Sequence, residues 1–179
     1  MKTNITFIMI FTCFCLISAG QKKVTEQNRE AHFSTGFQLH KFDDDFGCGI
    51  NLTSPWFWKD KTSVRFNGDV VFSKMKNWKP YGSTRLGLVG STGIVREFCR
   101  FYGEGGLQVL TLNPDISADK VKLGGYGHFG FEFFLKETNS DSYFIELGSS
   151  GIVAKAQKLE GKPMYFNGFC IGVGTRHYF

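Results

Sequence analysis

The stretch Phe169-Cys170-Ile171-Gly172-Val173-Gly174-Thr175-Arg176-His177-Tyr178-Phe179 changes character at every step. Phe169, Ile171, Val173, Thr175, His177 and Phe179 fall on one side, and Cys170, Gly172, Gly174, Arg176 and Tyr178 on the other. A period of two is the mark of a β-strand, because successive side chains leave a pleated backbone on opposite faces. One face here is bulky and apolar, while the other combines glycine with an arginine.

Working back along the chain, the same alternation recurs in eight segments: 33–41, 45–54, 62–74, 82–91, 95–112, 120–136, 141–156 and 164–179. Gly, Asp, Asn, Pro and Lys clusters separate them, as turns require. Phe33, Thr35, Phe37 and Leu39 oppose Ser34, Gly36, Gln38 and His40; Phe46, Cys48, Ile50 and Leu52 oppose Gly47, Gly49, Asn51 and Thr53. In the third segment Val64, Phe66, Val70 and Phe72 oppose Arg65, Asn67, Asp69 and Ser73; in the sixth Phe129, Phe131, Phe133 and Leu135 oppose His128, Gly130 and Glu132. Tyr143, Ile145 and Leu147 oppose Glu146 and Gly148 in the seventh. The expected fold is all-β: an eight-stranded, antiparallel, up-and-down barrel.

Which face points outward decides the class. A water-soluble barrel of lipocalin type would put the bulky apolar face inside, whereas a barrel in lipid inverts that assignment. The polar face is dense in glycine and carries charges of both signs, which suits a crowded interior. Taking it as inward gathers Arg65, Arg85, Arg100 and Arg176 with Asp69, Glu104, Glu132 and Glu146. Buried charge is tolerated only when it is paired and hydrogen-bonded, and this set of four cations and four anions could pair across a lumen.

Composition agrees with a chain that has one lipid-facing side. Its 179 residues include 20 Phe, 22 Gly and only 4 Pro. Residues 1–20 read as a cleaved secretory signal peptide: Lys2, an apolar run from Ile5 to Ile17, then Ser18, Ala19 and Gly20. That run is too short for a spanning helix. Residues 21–31 read as a polar periplasmic tail, and 32–179 as the barrel. No other segment could cross a bilayer as a helix, so a membrane form must be a closed barrel. After the signal, Cys48, Cys99 and Cys170 remain; their spacing suggests neither a disulfide framework nor a metal pair. His32, His40, His128 and His177 show no ligand spacing, and the glycine clusters at 103–106 and 124–127 lack the helix and Lys-Ser/Thr of a phosphate loop. A net charge of +5, scattered along the chain, argues against nucleic acid. No cofactor is indicated.

The last strand resembles the C-terminal signature of Gram-negative outer membrane barrels, and the chain from 32 onward resembles the small eight-stranded barrels of the OmpA and OmpX kind. The resemblance implies a monomer in the bacterial outer membrane, lipid as its surroundings, and recognition of Phe169, Ile171, Val173 and Phe179 by the barrel-assembly machinery. Thr175 and His177 depart from that signature, since an aromatic is usual at the position of His177. Aromatics at strand ends (Trp56, Phe57, Trp58, Trp78, Tyr81, Tyr165 and Phe179) are expected to form interfacial girdles. Some barrels of this size act on lipid A, the deacylases through a His followed two residues on by a Ser; here no Ser follows His177. The expected role is structural or interactive and not enzymatic. A lipid A-modifying enzyme and a soluble ligand-binding barrel are the alternatives.

Overall fold

A strand with one apolar face must hide that face or present it to something other than water, and here neighbouring strands share the same polarity. The computed structural model describes residues 31–42, 45–73, 79–95, 98–115, 117–135, 140–158, 160 and 164–179. The expected signal peptide and nearly all of the expected tail lie outside the described residues.

Eight strands close into one antiparallel barrel. They are β1 (Ser34–Phe42), β2 (Asp45–Thr53), β3 (Thr62–Ser73), β4 (Lys79–Val95), β5 (Cys99–Thr111), β6 (Val121–Phe134), β7 (Asp141–Gly151) and β10 (Gly168–Tyr178). Each pairs with its neighbour in sequence, and β1 closes on β10 from Ser34 opposite Tyr178 to Phe42 opposite Cys170. Closure leaves no strand edge unpaired.

Two short strands, β8 (Ala154–Lys155) and β9 (Met164–Tyr165), pair outside the barrel. The segments expected at 141–156 and 164–179 are therefore each broken. The break before β10 falls where Phe166 and Gly168 have φ of 57° and 105°, a left-handed turn that an extended strand cannot contain. The loop at that end is longer than the seven residues expected, running from 152 to 167. At the opposite end β4 runs on to Val95, beyond the segment expected to stop at 91, and β5 starts only at Cys99. Their register shifts between Ser91 and Ile94, with Gly93 at φ 87°. The one extra residue on β4 forms a bulge that keeps the ladder going.

Burial decides the orientation of the wall. Arg65, Arg85, Arg100 and Arg176 are among the most buried side chains of the molecule, while Ile50, Leu86, Leu88, Leu107, Leu123 and Phe129 are exposed. Polar residues fill the middle of the lumen and apolar residues cover the outside.

Candidate functional site

The lumen is the only place where the described chemistry-bearing residues converge, and it is built in layers. Inward positions are every second residue of each strand, so inward charges meet partners from strands far apart in sequence.

The central layer is organised by Glu146 of β7. Its Oε1 accepts hydrogen bonds from Arg65 Nη1 at 3.0 Å, Arg176 Nη2 at 3.0 Å and the Tyr102 hydroxyl at 2.6 Å. Arg65 also donates to Glu104 Oε2 at 2.6 Å. Glu104 Oε1 accepts from the Tyr126 hydroxyl at 2.6 Å and from Asn67 at 3.1 Å. The Arg65 and Arg176 guanidinium groups lie over the Tyr102 ring at 5.0 and 5.2 Å. Arg176 also lies over the Phe144 ring, at 4.0 Å.

Toward the end that carries β1's last residue, Arg85 pairs with Asp69 at 3.1 Å, and Gln38 donates to the same carboxylate at 2.7 Å. Arg85 also faces Nδ1 of His40 at 3.0 Å and Nδ1 of His128 at 3.5 Å. Arginine only donates, so both Nδ1 atoms act as acceptors and the protons sit on Nε2. His128 Nε2 then donates toward Cys170 Sγ, 3.1 Å away. A ring that donates to a thiol cannot take its proton, so this pair is not poised as a nucleophile and base. Above it Phe42, Val71, Tyr81, Leu110, Ile152, Ala154 and Phe166 form an apolar plug.

Toward the other end, Arg100 and Arg176 flank Glu132 at 3.3 Å each. Ser142 and Tyr178 donate to the same carboxylate at 2.6 and 2.7 Å. Arg100 lies over the Trp56 ring at 4.3 Å and the Phe134 ring at 5.1 Å. Described side chains thus occupy the lumen from rim to rim.

Of the residues read from the sequence, Arg65, Glu104, Glu146 and Arg176 meet in one layer, Asp69 and Arg85 in the next, and Arg100 and Glu132 in the third. Tyr102, Tyr126, Tyr178, Gln38, Asn51 and Asn67 complete these networks and were not expected as partners; the alternation that marked the charges marks them too. His128 shares an inward face with Glu132 on β6 but lies 3.9 Å from Glu146 of β7. His40 lies 3.9 and 4.0 Å from Asp69 and Glu146, and Asp45 accepts from the Tyr81 hydroxyl at 2.7 Å. Two expected girdle residues therefore point inward: Tyr81 to reach Asp45, and Trp56 beneath Arg100. Phe57 and Trp58 are exposed. Trp78 and the Tyr165 side chain lie outside the described residues.

Phe169, Ile171 and Val173 are on the outer wall, and Phe179 is half-buried beyond β10. His177 is also outside, with Nδ1 2.7 Å from Asp141 Oδ1. Ser142 faces the lumen and donates to Glu132, and Thr35 donates to the Asn51 carbonyl at 3.2 Å. Among the described residues no group of three or more His, Cys, Asp or Glu is arranged to hold a metal ion.

No family model matches the sequence, and no curated protein matches it. Solved structures do match the fold. The N-terminal β-barrel domain of OprF from Pseudomonas aeruginosa aligns at 12% identity with a TM-score of 0.55, covering 83% of this chain and 97% of that one. The outer membrane protein OprG from the same organism aligns at 14% identity with a TM-score of 0.54, covering 83% and 95%. The chain has the fold of the small eight-stranded outer membrane barrels.

Proposed function

We propose that this chain is a small outer membrane β-barrel protein with a structural or interaction role, its interior closed by paired charges, and that it is not an enzyme. The observation that carries the reading is the inverted polarity of the wall. A water-soluble protein rarely leaves a large contiguous apolar surface exposed, yet here exposed Phe, Leu, Ile and Val side chains come from every barrel strand. In lipid that surface is favourable, and a closed barrel leaves no backbone group unsatisfied. Every carboxylate described in the lumen is occupied by guanidinium, hydroxyl or amide donors, which suits a structural interior better than one that must bind substrate.

In this reading residues 1–20 are removed on export, the barrel sits in the bacterial outer membrane as a monomer, and lipids are its permanent partners. Phe169, Ile171, Val173 and Phe179 then form the face of the closing strand that the barrel-assembly machinery engages, and the Arg65 to Arg176 set holds the strands in register from within.

Envelope fractionation tests the reading. The protein is expected to stay with outer membrane fractions through high-salt and carbonate washes and to leave only with detergent. Unheated samples are expected to migrate differently from boiled ones on gels, as folded barrels resist the denaturant. Release into buffer without detergent would overturn the assignment.

A further inference from the structure

We propose that the groove beside Lys41, at one rim of the β1–β10 seam, binds the phosphate of a membrane lipid whose acyl chains lie against the seam. This rests on the membrane reading above. Among the described outward-facing positions of the barrel strands, the Lys, Arg, His, Asp and Glu residues are Lys41, Asp141 and His177. Asp141 and His177 form a pair at the opposite rim, 2.7 Å apart. Lys41 has no such partner among the described residues, and its neighbours in register are Phe46 and Ile171.

A lysine can be tolerated at a rim by extending its ammonium to the interface, and that alone would need no site. The second observation is a depression of about 400 Å³ lined by Lys41, Asn167, Gly168, Phe169 and Ile171. Gly168 has φ 105°, the turn by which the chain leaves the 152–167 loop and enters β10. Nothing lies within 4 Å of where a Cβ would stand at this glycine. The groove therefore presents an ammonium and a carboxamide beside the aromatic ring of Phe169 and the aliphatic Ile171. Leu39, Val173 and Phe37 continue the apolar strip along the seam toward mid-depth. A charged head beside a hydrocarbon track is the complement of a phospholipid, not of a free anion.

Native mass spectrometry of the folded chain released from detergent tests this, with dioleoylphosphatidylglycerol, dioleoylglycerol and inorganic phosphate as probes. One saturable phosphatidylglycerol adduct is expected, with no comparable dioleoylglycerol adduct. Lys41→Met should weaken the adduct about tenfold, the share of one charge-assisted hydrogen bond. Lys41→Arg should retain it, Asn167→Leu should weaken it less, and the exposed loop variant Lys155→Met should leave it unchanged. Asp43 and Asp44, next in the chain, lie outside the described residues; replacing both by Asn should tighten binding by removing negative charge. Loss of binding in that variant would mean that the acids hold lipid through a bridging cation, and would overturn direct contact. Equal binding by wild type and Lys41→Met, with both folded by heat-shifted mobility, would overturn the site. So would inorganic phosphate competing as well as the lipid. Extraction without detergent would instead defeat the membrane reading, so the two failures are distinguishable.

Discussion

Arg65 on β3 reaches Glu146 on β7, the strand diametrically opposite in the barrel, with 3.0 Å between Nη1 and Oε1. The contact spans the lumen between residues 81 apart in sequence. Because Arg176 and Tyr102 converge on the same oxygen, Glu146 fixes the spacing of β3, β5, β7 and β10 at once. Removing its charge takes one carboxylate from two buried guanidinium groups, leaving Arg65 with Glu104 and Arg176 with Glu132. Glu146→Gln is expected to lower unfolding stability by about 3–5 kcal/mol, the usual cost of breaking one side of a buried pair. Urea titration of the barrel in lipid vesicles measures this, and the rim variant Asp141→Asn should shift the midpoint far less, by about 0–1 kcal/mol.

The central layer also predicts where the wall must be bare. A Cβ at Gly130 would overlap the Tyr102 ring, which lies opposite it in register. Tyr102 cannot withdraw without losing its hydrogen bond to Glu146, so Gly130→Ala should destabilise the barrel by about 1–3 kcal/mol, the range for overpacking. Gly90, where nothing stands within 4 Å of the missing Cβ, is the control. Gly90→Ala should leave the same urea midpoint nearly unchanged.

The period of two was enough to read the strands and their polarity, because a one-residue slip would exchange every inward and outward side chain. The charges at Arg65, Glu104, Glu146 and Arg176 could be placed on one face for that reason. Which arginine would meet which acid was not legible, since it depends on strand stagger around the closed barrel and on where glycines such as Gly130 leave room. Strand ends were misread where periodicity ran on through a break. Met164, Tyr165 and Phe166 supply an apolar run just ahead of Phe169, but the left-handed turn at Phe166 and Gly168 separates a loop hairpin from the wall. Trp56 and Tyr81 were misplaced because an aromatic near a strand end serves a girdle or a lumen equally well until its polar neighbour is known.

The loop that precedes β6 offers a prediction about pH. Lys122 Nζ lies 2.8 Å from Asp119 Oδ2, and this hydrogen bond, with a further one from Gln157, holds the Asp119 carboxyl below its ordinary value. A depressed carboxyl contributes stability above its unfolded-state value and loses it as pH falls through the folded-state value. The local anchoring of Gln157 to Asp119 should therefore persist at neutral pH and weaken only in acid. A titration of the Asp119 side-chain carbon by NMR should show a midpoint below 3.8, the unperturbed value, and Lys122→Met should move it upward. An unchanged midpoint in that variant would refute the role of Lys122.

A charge placed on the outer wall separates the lipid and water readings by sign. Val173 is exposed midway along β10, between Leu39 and Ile145 in register, and none of the three is polar. If this wall faced water, Val173→Arg would exchange an exposed apolar group for a solvated one and cost within about 0.5 kcal/mol. In a bilayer an arginine near mid-depth costs about 2–4 kcal/mol, falling to about 0–1 near the interface. Val173→Arg is therefore expected to destabilise the vesicle-embedded barrel by about 2–4 kcal/mol. Thr35→Arg, placed near the rim, should cost under about 1 kcal/mol by the same depth dependence. The difference between the two midpoints measures the polarity of the medium against the wall, and equal midpoints would mean that the wall is not in lipid.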